Sequence, residues 1–437
     1  MKIASIECLE LLFSKDNDEY FCVTNPKSSC FDLIGRNYPK DKIISVDISS
    51  NKIWRNEKKI ISKTNLTDLL HQKGANGLIL DPYSSSYVEN WAGNEKMDLV
   101  VTPYKLQRKL ENKIFFELLL KKHNLPSPKS WIIKSEADID LIDNVEIVAQ
   151  RPNSNGSRGT FFVKNKNEIR NLIKFKKLKF PFLCREFINN GIPLGVSILI
   201  SPNKMIFSAL RAQAYFSRNN GESVYYGIQW VRTSFFPKKT IEKLNTVLNK
   251  IGGAFQKIGF CGVAGFDLII RNDEVYFIEC NPRLSGATPQ ISLQPELLHG
   301  LNFAKEFTDT CLLKELSVNK PFIPNSNYEG FNLDLDFLKE RHIGTKIRAS
   351  KVGFYKPSKD KFTYISAEKK EFDDDSSIFL YHALPERTKL SDKISLGFIM
   401  KHKPLLKLNK NSYSFSEKGQ EFLKNIENLI IRNESNC

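Results

Sequence analysis

The chain has 437 residues and no C-x-x-C pair, and its eight cysteines run singly from Cys8 to Cys437. That spacing argues against both a zinc site and a redox dithiol. No apolar run reaches the roughly 18 residues of a membrane-spanning helix. Glu7 and Glu10 interrupt the apolar N-terminal residues, so a signal-peptide core is missing and a reducing cytoplasmic compartment is the expectation. The six histidines (His71, His123, His299, His342, His382 and His402) lack metal or triad spacing and receive no role. Acidic residues are outnumbered, 49 against 65 Lys and Arg, which leaves a net charge of +16. A polyanionic partner or a site for phosphorylated small molecules would use that excess, and composition alone does not choose. Hydrophobic residues at 41% and aromatics at 11% exclude a mainly disordered chain.

Strand-length apolar runs recur up to about residue 103 (EYFCVT, DKIISVDI, NGLILD, DLVVTP) with helix-forming stretches between them, a βαβ rhythm that predicts a parallel sheet. No G-x-G-x-x-G follows these strands, so this α/β unit, 1–103, is not expected to hold NAD. Leu106, Leu110, Ile114 and Leu118 recur at helical spacing and predict one helix over 104–123, ended by Pro126 and Pro128. Short strands, a basic helix near 167–178 and a long helix near 239–258 follow. Beyond residue 325 the texture becomes short β runs closed by a helix near 416–432, with Ser416 as its N-cap. The expected domains are therefore 1–103, 104–325 with a lid at about 128–190, and a β-rich 326–437.

The chemistry concentrates in GVAGFDLIIRNDEVYFIECNPRLSG, Gly262 to Gly286. Asp267 lies on the first strand of a hairpin, and Glu279 and Asn281, two apart on the second, share a face. Such oxygen ligands suit Mg²⁺. A three-residue loop, Asn272 to Glu274, sets Arg271 against Val275 and Asp267 opposite Glu279. A loop of two or four residues sets Asp267 opposite Ile278 and turns Glu279 away, so the metal reading predicts an odd-length loop.

ECNPR preceded by GFDLII resembles the metal-binding end of the ATP-grasp superfamily, which includes D-alanine ligase, biotin carboxylase, carbamoyl phosphate synthetase and carboxylate-amine ligases. NKIFFELLLKKHNLPSP, VAQRPNSNGSRGTFFV and CREFINNGIPLGVSILI resemble, in order, its phosphate-lysine helix, its glycine-rich phosphate loop and its adenine hinge. LGFIMKHKP is similar to the ending of several such ligases. The resemblance implies an ATP-grasp fold of mixed α/β and α+β class, with a pre-ATP-grasp domain in front and a C-terminal mostly β unit behind. It implies ATP binding by Lys113, Arg151, Asn153, Gly156, Ser157, Arg158, Gly159, Glu186, Phe187 and Ile188, with Asp267, Glu279 and Asn281 on Mg²⁺, for which Mn²⁺ can substitute. Arg283 would stabilise the anionic transition state. Arg151 stands where the family has a second lysine, and no acid near Pro193 to Gly195 is available for the ribose, which leaves Glu186 alone or a different ribose contact.

Arg211, Arg218 and Arg232 are suited to gripping carboxylates or phosphate, and Ser285 and Gly286 form a substrate-facing loop. Gln213, Gln229 and Trp230 are further candidates for that pocket. The activity implied is ATP-dependent ligation of a small carboxylic acid to an amine or amino acid through an acyl phosphate, releasing ADP and phosphate. An ATP-grasp kinase or protein side-chain ligase, and a non-catalytic basic nucleic-acid-binding or scaffold protein, are the alternatives. The run KFKKLKF reads as a solvated lid surface with Phe175 and Leu178 inward, so neither nucleic acid nor membrane is an expected partner. A homodimer is compatible with the sequence.

Overall fold

The computed structural model describes residues 2–14, 20–47, 57–80, 83–143, 145–154, 159–217, 223–348, 350–358, 361–373, 376–381, 388–391, 396–409 and 412–431. Five short strands open the chain: β1 Ile3–Ile6, β2 Phe21–Thr24, β3 Ile43–Ser45, β4 Gly77–Ile79 and β5 Asp98–Val100. They pair in parallel in the order β3-β2-β1-β4-β5. Val23 and Leu78 are buried, as strands covered on both faces require.

The helix expected over 104–123 is two helices, Tyr104–Leu110 and Lys113–Lys122. Asn112 breaks it by capping the second, its side chain accepting from the backbone N–H groups of Ile114 and Phe115. A good N-cap satisfies orphan donors and so competes with helix continuation. Lys113 thereby becomes the first residue of the second helix.

Strands β6 Ser130–Ile133, β7 Ile147–Gln150, β8 Thr160–Val163 and β9 Phe182–Glu186 form an antiparallel sheet in the order β6-β9-β7-β8. The basic helix beside it, Lys166–Lys174, is shorter than the expected 167–178. Leu178 is buried as expected, but Phe175 is 69% exposed. The helix has ended, with Lys176 at φ +56°, so helical spacing no longer places Phe175 on the inner face.

The largest sheet contains β10 Ile192–Ile200, β11 Met205–Phe207, β12 Leu210–Ser217, β13 Ser223–Val231, β14 Gly262–Arg271 and β15 Glu274–Asn281. Strands β16 Phe331–Asp334, β17 Gly353–Ser358, β18 Lys361–Ser366, β19 Ile378–Tyr381 and β20 Phe398–Lys401 extend it, giving the order β15-β14-β10-β12-β13-β16-β20-β19-β17-β18 with β11 on β10. Gln229 on β13 fastens the later chain to this sheet. Its carbonyl accepts from the backbone N–H groups of Leu405 and Leu406, and its amide donates to Leu406 O. The long helix Lys238–Lys257 lays Leu244, Leu248, Ile251 and Phe255 against one face of the sheet. The last helix, Glu417–Ile430, begins at Ser416, whose hydroxyl accepts from Gly419 N–H. No helix among the described residues is long and apolar enough to cross a membrane.

Candidate functional site

The β14–β15 hairpin brings Asp267 opposite Glu279 and Gly265 opposite Asn281. The loop that does so is not the expected three-residue one. Arg271 pairs with Glu274, leaving the two-residue turn Asn272-Asp273, both at positive φ as a type I′ turn demands. A β-bulge between Asp267 and Leu268 then absorbs Ile278 as an extra residue. The bulge restores the parity that the shorter loop would have cost. Thr240 anchors the turn by donating to Asp273 Oδ1 at 2.5 Å.

Glu279, Asp267, Gly195 and Arg211 are successive partners across four strands, and Trp230 continues the row on β13. They share one face of the sheet. Asp267 accepts from Gln213 Nε2 at 2.6 Å and from Asn281 Nδ2 at 3.2 Å. Burial, reinforced by the charge of Glu279, pushes its carboxyl up to about 6. Two like charges brought together in a desolvated place favour a cation between them. Two carboxylates and an amide oxygen are a donor set that fits a hard divalent ion.

Positive groups border this cluster on two sides. Lys113 Nζ, almost fully buried, lies 3.1 Å from Glu279 Oε2 and donates to Ser154 O at 2.8 Å. Arg283 Nη2 donates to Asn281 Oδ1 at 3.0 Å and its Nε to Glu111 Oε1 at 2.9 Å, with the Tyr83 ring centroid 5.0 Å from Cζ. Burial works against the Arg283 cation, but Tyr83 and Glu111 outweigh it and hold the group above its ordinary value. Asp267, Glu279, Asn281, Lys113 and Arg283 therefore form one connected set. Glu111, which sequence reasoning passed over, orients the arginine.

Residues 110–287 match the family model described as ATP-grasp domain. Over these residues the chain has the ATP-grasp fold. A biotin carboxylase domain of Hydrogenobacter thermophilus 2-oxoglutarate carboxylase, solved with MgADP, ADP and bicarbonate, superposes with a TM-score of 0.64 at 13% identity, covering 99% of this chain and 90% of that one. N5-carboxyaminoimidazole synthetase from Staphylococcus aureus gives 0.52 at 13% identity, covering 98% and 96%. In sequence, the carbamoyl phosphate synthase large chain of Helicobacter pylori is 22% identical over 244 residues, which span 54% of this chain and 21% of that one. The chain thus matches about a fifth of that curated relative's length.

Elsewhere in the ATP-grasp domain the expected residues divide. Arg151 donates through Nε and Nη2 to Lys177 O at 2.8 and 2.5 Å, while its backbone N–H bonds Gly159 O at 2.9 Å. Asn153 is exposed and accepts from Asn112 Nδ2 at 3.4 Å. Gly156, Ser157 and Arg158 lie outside the described residues, as does Arg218. Glu186 ends β9 and Phe187 and Ile188 follow it, the rings of Phe187 and Phe162 meeting edge-on at 5.5 Å. A cavity of about 380 Å³ bounded by Arg108, Phe115 and Leu118 touches none of the site carboxylates.

Arg211 belongs to the cluster. Arg232 does not join it by any contact, because its half-exposed guanidinium pairs with Glu329 at 2.6 Å. Ser285 N–H bonds Thr288 Oγ1 at 3.1 Å, and Gly286 O accepts from Asn332, which ties this loop to β16. Thr288 also bonds Glu10 from the N-terminal part of the chain. Trp230 donates to Gln290 Oε1 at 2.9 Å.

Sequence reasoning missed one pair entirely. Arg185 and Glu117 are both fully buried and joined through Nε and Nη2 to Oε2 at 3.1 and 2.8 Å. Arg185 also donates to Gln150 Oε1 and to Ile278 O, the bulge carbonyl. Ser127 and Ser130 donate to Glu117 Oε1. Burial alone would raise the Glu117 carboxyl, but Arg185 and the hydroxyls prevail and hold it below its ordinary value. Only residue types typical of a buried ion pair could have hinted at it.

Proposed function

We propose that this chain is an ATP-dependent carboxylate-amine ligase that forms an amide through an acyl phosphate. The observation that carries the reading is the single sheet face on which Asp267, Glu279 and Asn281 stand together, with Lys113 on Glu279 and Arg283 on Asn281. A face built this way supports ATP with Mg²⁺ as the occupants, in keeping with a structural neighbour solved with MgADP. Mg²⁺, or Mn²⁺ in its stead, would be held by Asp267, Glu279 and Asn281 and would neutralise charge on the transferring phosphoryl group.

Lys113 orients the phosphates from the start of its helix, and Arg151 and Asn153 meet them from the other side. Glu186, Phe187 and Ile188 line the adenine side. A carboxylate oxygen of the acid attacks the γ-phosphorus, and the bond to the β-phosphate oxygen breaks to release ADP. The amine nitrogen then attacks the acyl carbon, phosphate leaves with the bonding electrons, and the surplus proton passes to phosphate or water. Arg283 lies where negative charge builds in both steps, a preorganised donor of the kind worth ~3 to 4 kcal/mol.

Pairs of small acids, bicarbonate included, and amines or amino acids offered with MgATP test the reading. Acid-dependent ADP release, hydroxamate formation on adding hydroxylamine, and amide formation on adding amine are the expected results. Phosphate retained on the product would instead identify a kinase, and unchanged turnover in Glu279→Ala would remove the catalytic reading altogether.

A further inference from the structure

Arg211 is 4% exposed, and among the described residues its guanidinium donates one hydrogen bond, Nη1 to Ser197 Oγ at 3.2 Å, and forms no ion pair. A guanidinium has five N–H groups, so most of its donors are unspent. Burial drives the group below its ordinary value, with Asp267 and Tyr225 only partly opposing. An uncompensated buried cation is costly, and a fold that keeps one has reason to bring it an anion.

The surroundings are shaped for that anion. A β-carbon at Gly195 would meet Arg211 Nε at 2.8 Å, and one at Gly265 would sit 3.6 Å from Nη2. The two glycines therefore let the side chain lie flat across β10 toward the metal candidates. Trp230, its ring fixed by Gln290, stands 5.9 Å from Arg211 Cζ and closes the other side. The free edge of the guanidinium thus lies on the same face as Asp267 and Glu279, while Arg283 with Tyr83 and Glu111 borders the cluster separately.

We propose that Arg211 is the subsite for the reacting carboxylate of the acid substrate, gripping it as a planar anion beside the metal cluster. The proposal rests on the ligase reading and adds to it. The acid's carboxylate then lies on the Arg211 side of Asp267, apart from Arg283, which borders the cluster through Asn281. Gly195 is a specificity element, because a β-carbon there displaces the guanidinium, whereas one at Gly265 would only touch it.

The test uses the full chain with formate and acetate as carboxylate probes and MgADP and MgATP as nucleotide probes. Formate or acetate in the presence of MgADP is expected to raise the melting temperature of wild type and to leave Arg211→Gln unmoved. Nucleotide affinities by calorimetry should agree within about twofold between the two proteins, while half-saturation by an acid that supports phosphate release rises about 10- to 100-fold in the variant. Arg211→Lys should recover part of the loss, and Gly195→Ala should reproduce it with the charge retained. A variant that weakens MgATP but not MgADP binding would show Arg211 to be a γ-phosphate ligand and overturn the proposal, as would a carboxylate-induced shift that survives in Arg211→Gln or is absent in wild type. If the shift behaves as expected but no acid supports ADP release, the subsite stands and the ligase reading fails.

Discussion

The central sheet and the lid each hold a cation expected to meet phosphate, and they hold it differently. Lys113 is buried and aimed at Glu279, so the sheet register and the helix cap set its position. Arg151 is exposed and spends its guanidinium on Lys177 O, a carbonyl of the lid itself. A charge fixed against Glu279 needs no rearrangement to act there. A charge resting on a backbone carbonyl would have to exchange that partner for a phosphate oxygen before it could serve ATP. The two regions are joined through Arg185 on β9, which reaches Glu117 on the Lys113 helix and the bulge carbonyl of Ile278 on β15.

The largest effect should come from the sheet side. Glu279→Gln is expected to lower ATP-dependent turnover by at least about 10³-fold with the circular dichroism spectrum unchanged, and an activity within tenfold of wild type would break the comparison at its root. Next is the joint between the regions. Removing Glu117 leaves a buried, unpaired Arg185, so Glu117→Ala should cost about 3–5 kcal/mol in denaturant unfolding, with Glu117→Ala plus Arg185→Met closer to wild type.

A third region sharpens the contrast. Glu7, buried at the end of β1 and bonded by Thr24 Oγ1 at 2.7 Å, has its carboxyl raised to about 7 by burial, which outweighs the hydrogen bonds that lower it. The folded state then holds a proton that the unfolded chain releases at a lower pH. Stability from this group should therefore fall as pH rises from about 4.5 to 7, by about 3 kcal/mol, and Glu7→Gln should flatten that slope in melting measurements. On the lid, Arg151→Ala should weaken ATP binding by about tenfold and leave stability untouched; a loss equal to that of Lys113→Ala would erase the distinction between parked and fixed cations. Smallest of all, Phe175→Ser should change unfolding free energy by less than about 0.5 kcal/mol, where the inward position expected from helical spacing would have cost several times more.

The pairing of Asp267 with Glu279 was legible because alternation along a strand leaves two choices of face. The loop was not, since a three-residue loop and a two-residue turn with a bulge give the same parity. Asn112 had the residue type of an N-cap, but the apolar spacing on both sides runs through it, and periodicity hid the break. Arg185 and Glu117 are 68 residues apart, and no local pattern marks which buried charges will meet.

Composition, strand rhythm and the order of motifs were enough to determine the class of fold and the identity of the acidic cluster, because those depend on local alternation and on short-range spacing. What became of the positive charges was decided by tertiary structure. Arg211 and Arg232 look alike in the sequence, yet one lies over two glycines beside Asp267 with one hydrogen bond, to Ser197, among the described residues, and the other is neutralised by Glu329 at the surface. A long flexible cation takes its role from the groups that the packed sheet brings within its reach, and that proximity is a property of the fold alone.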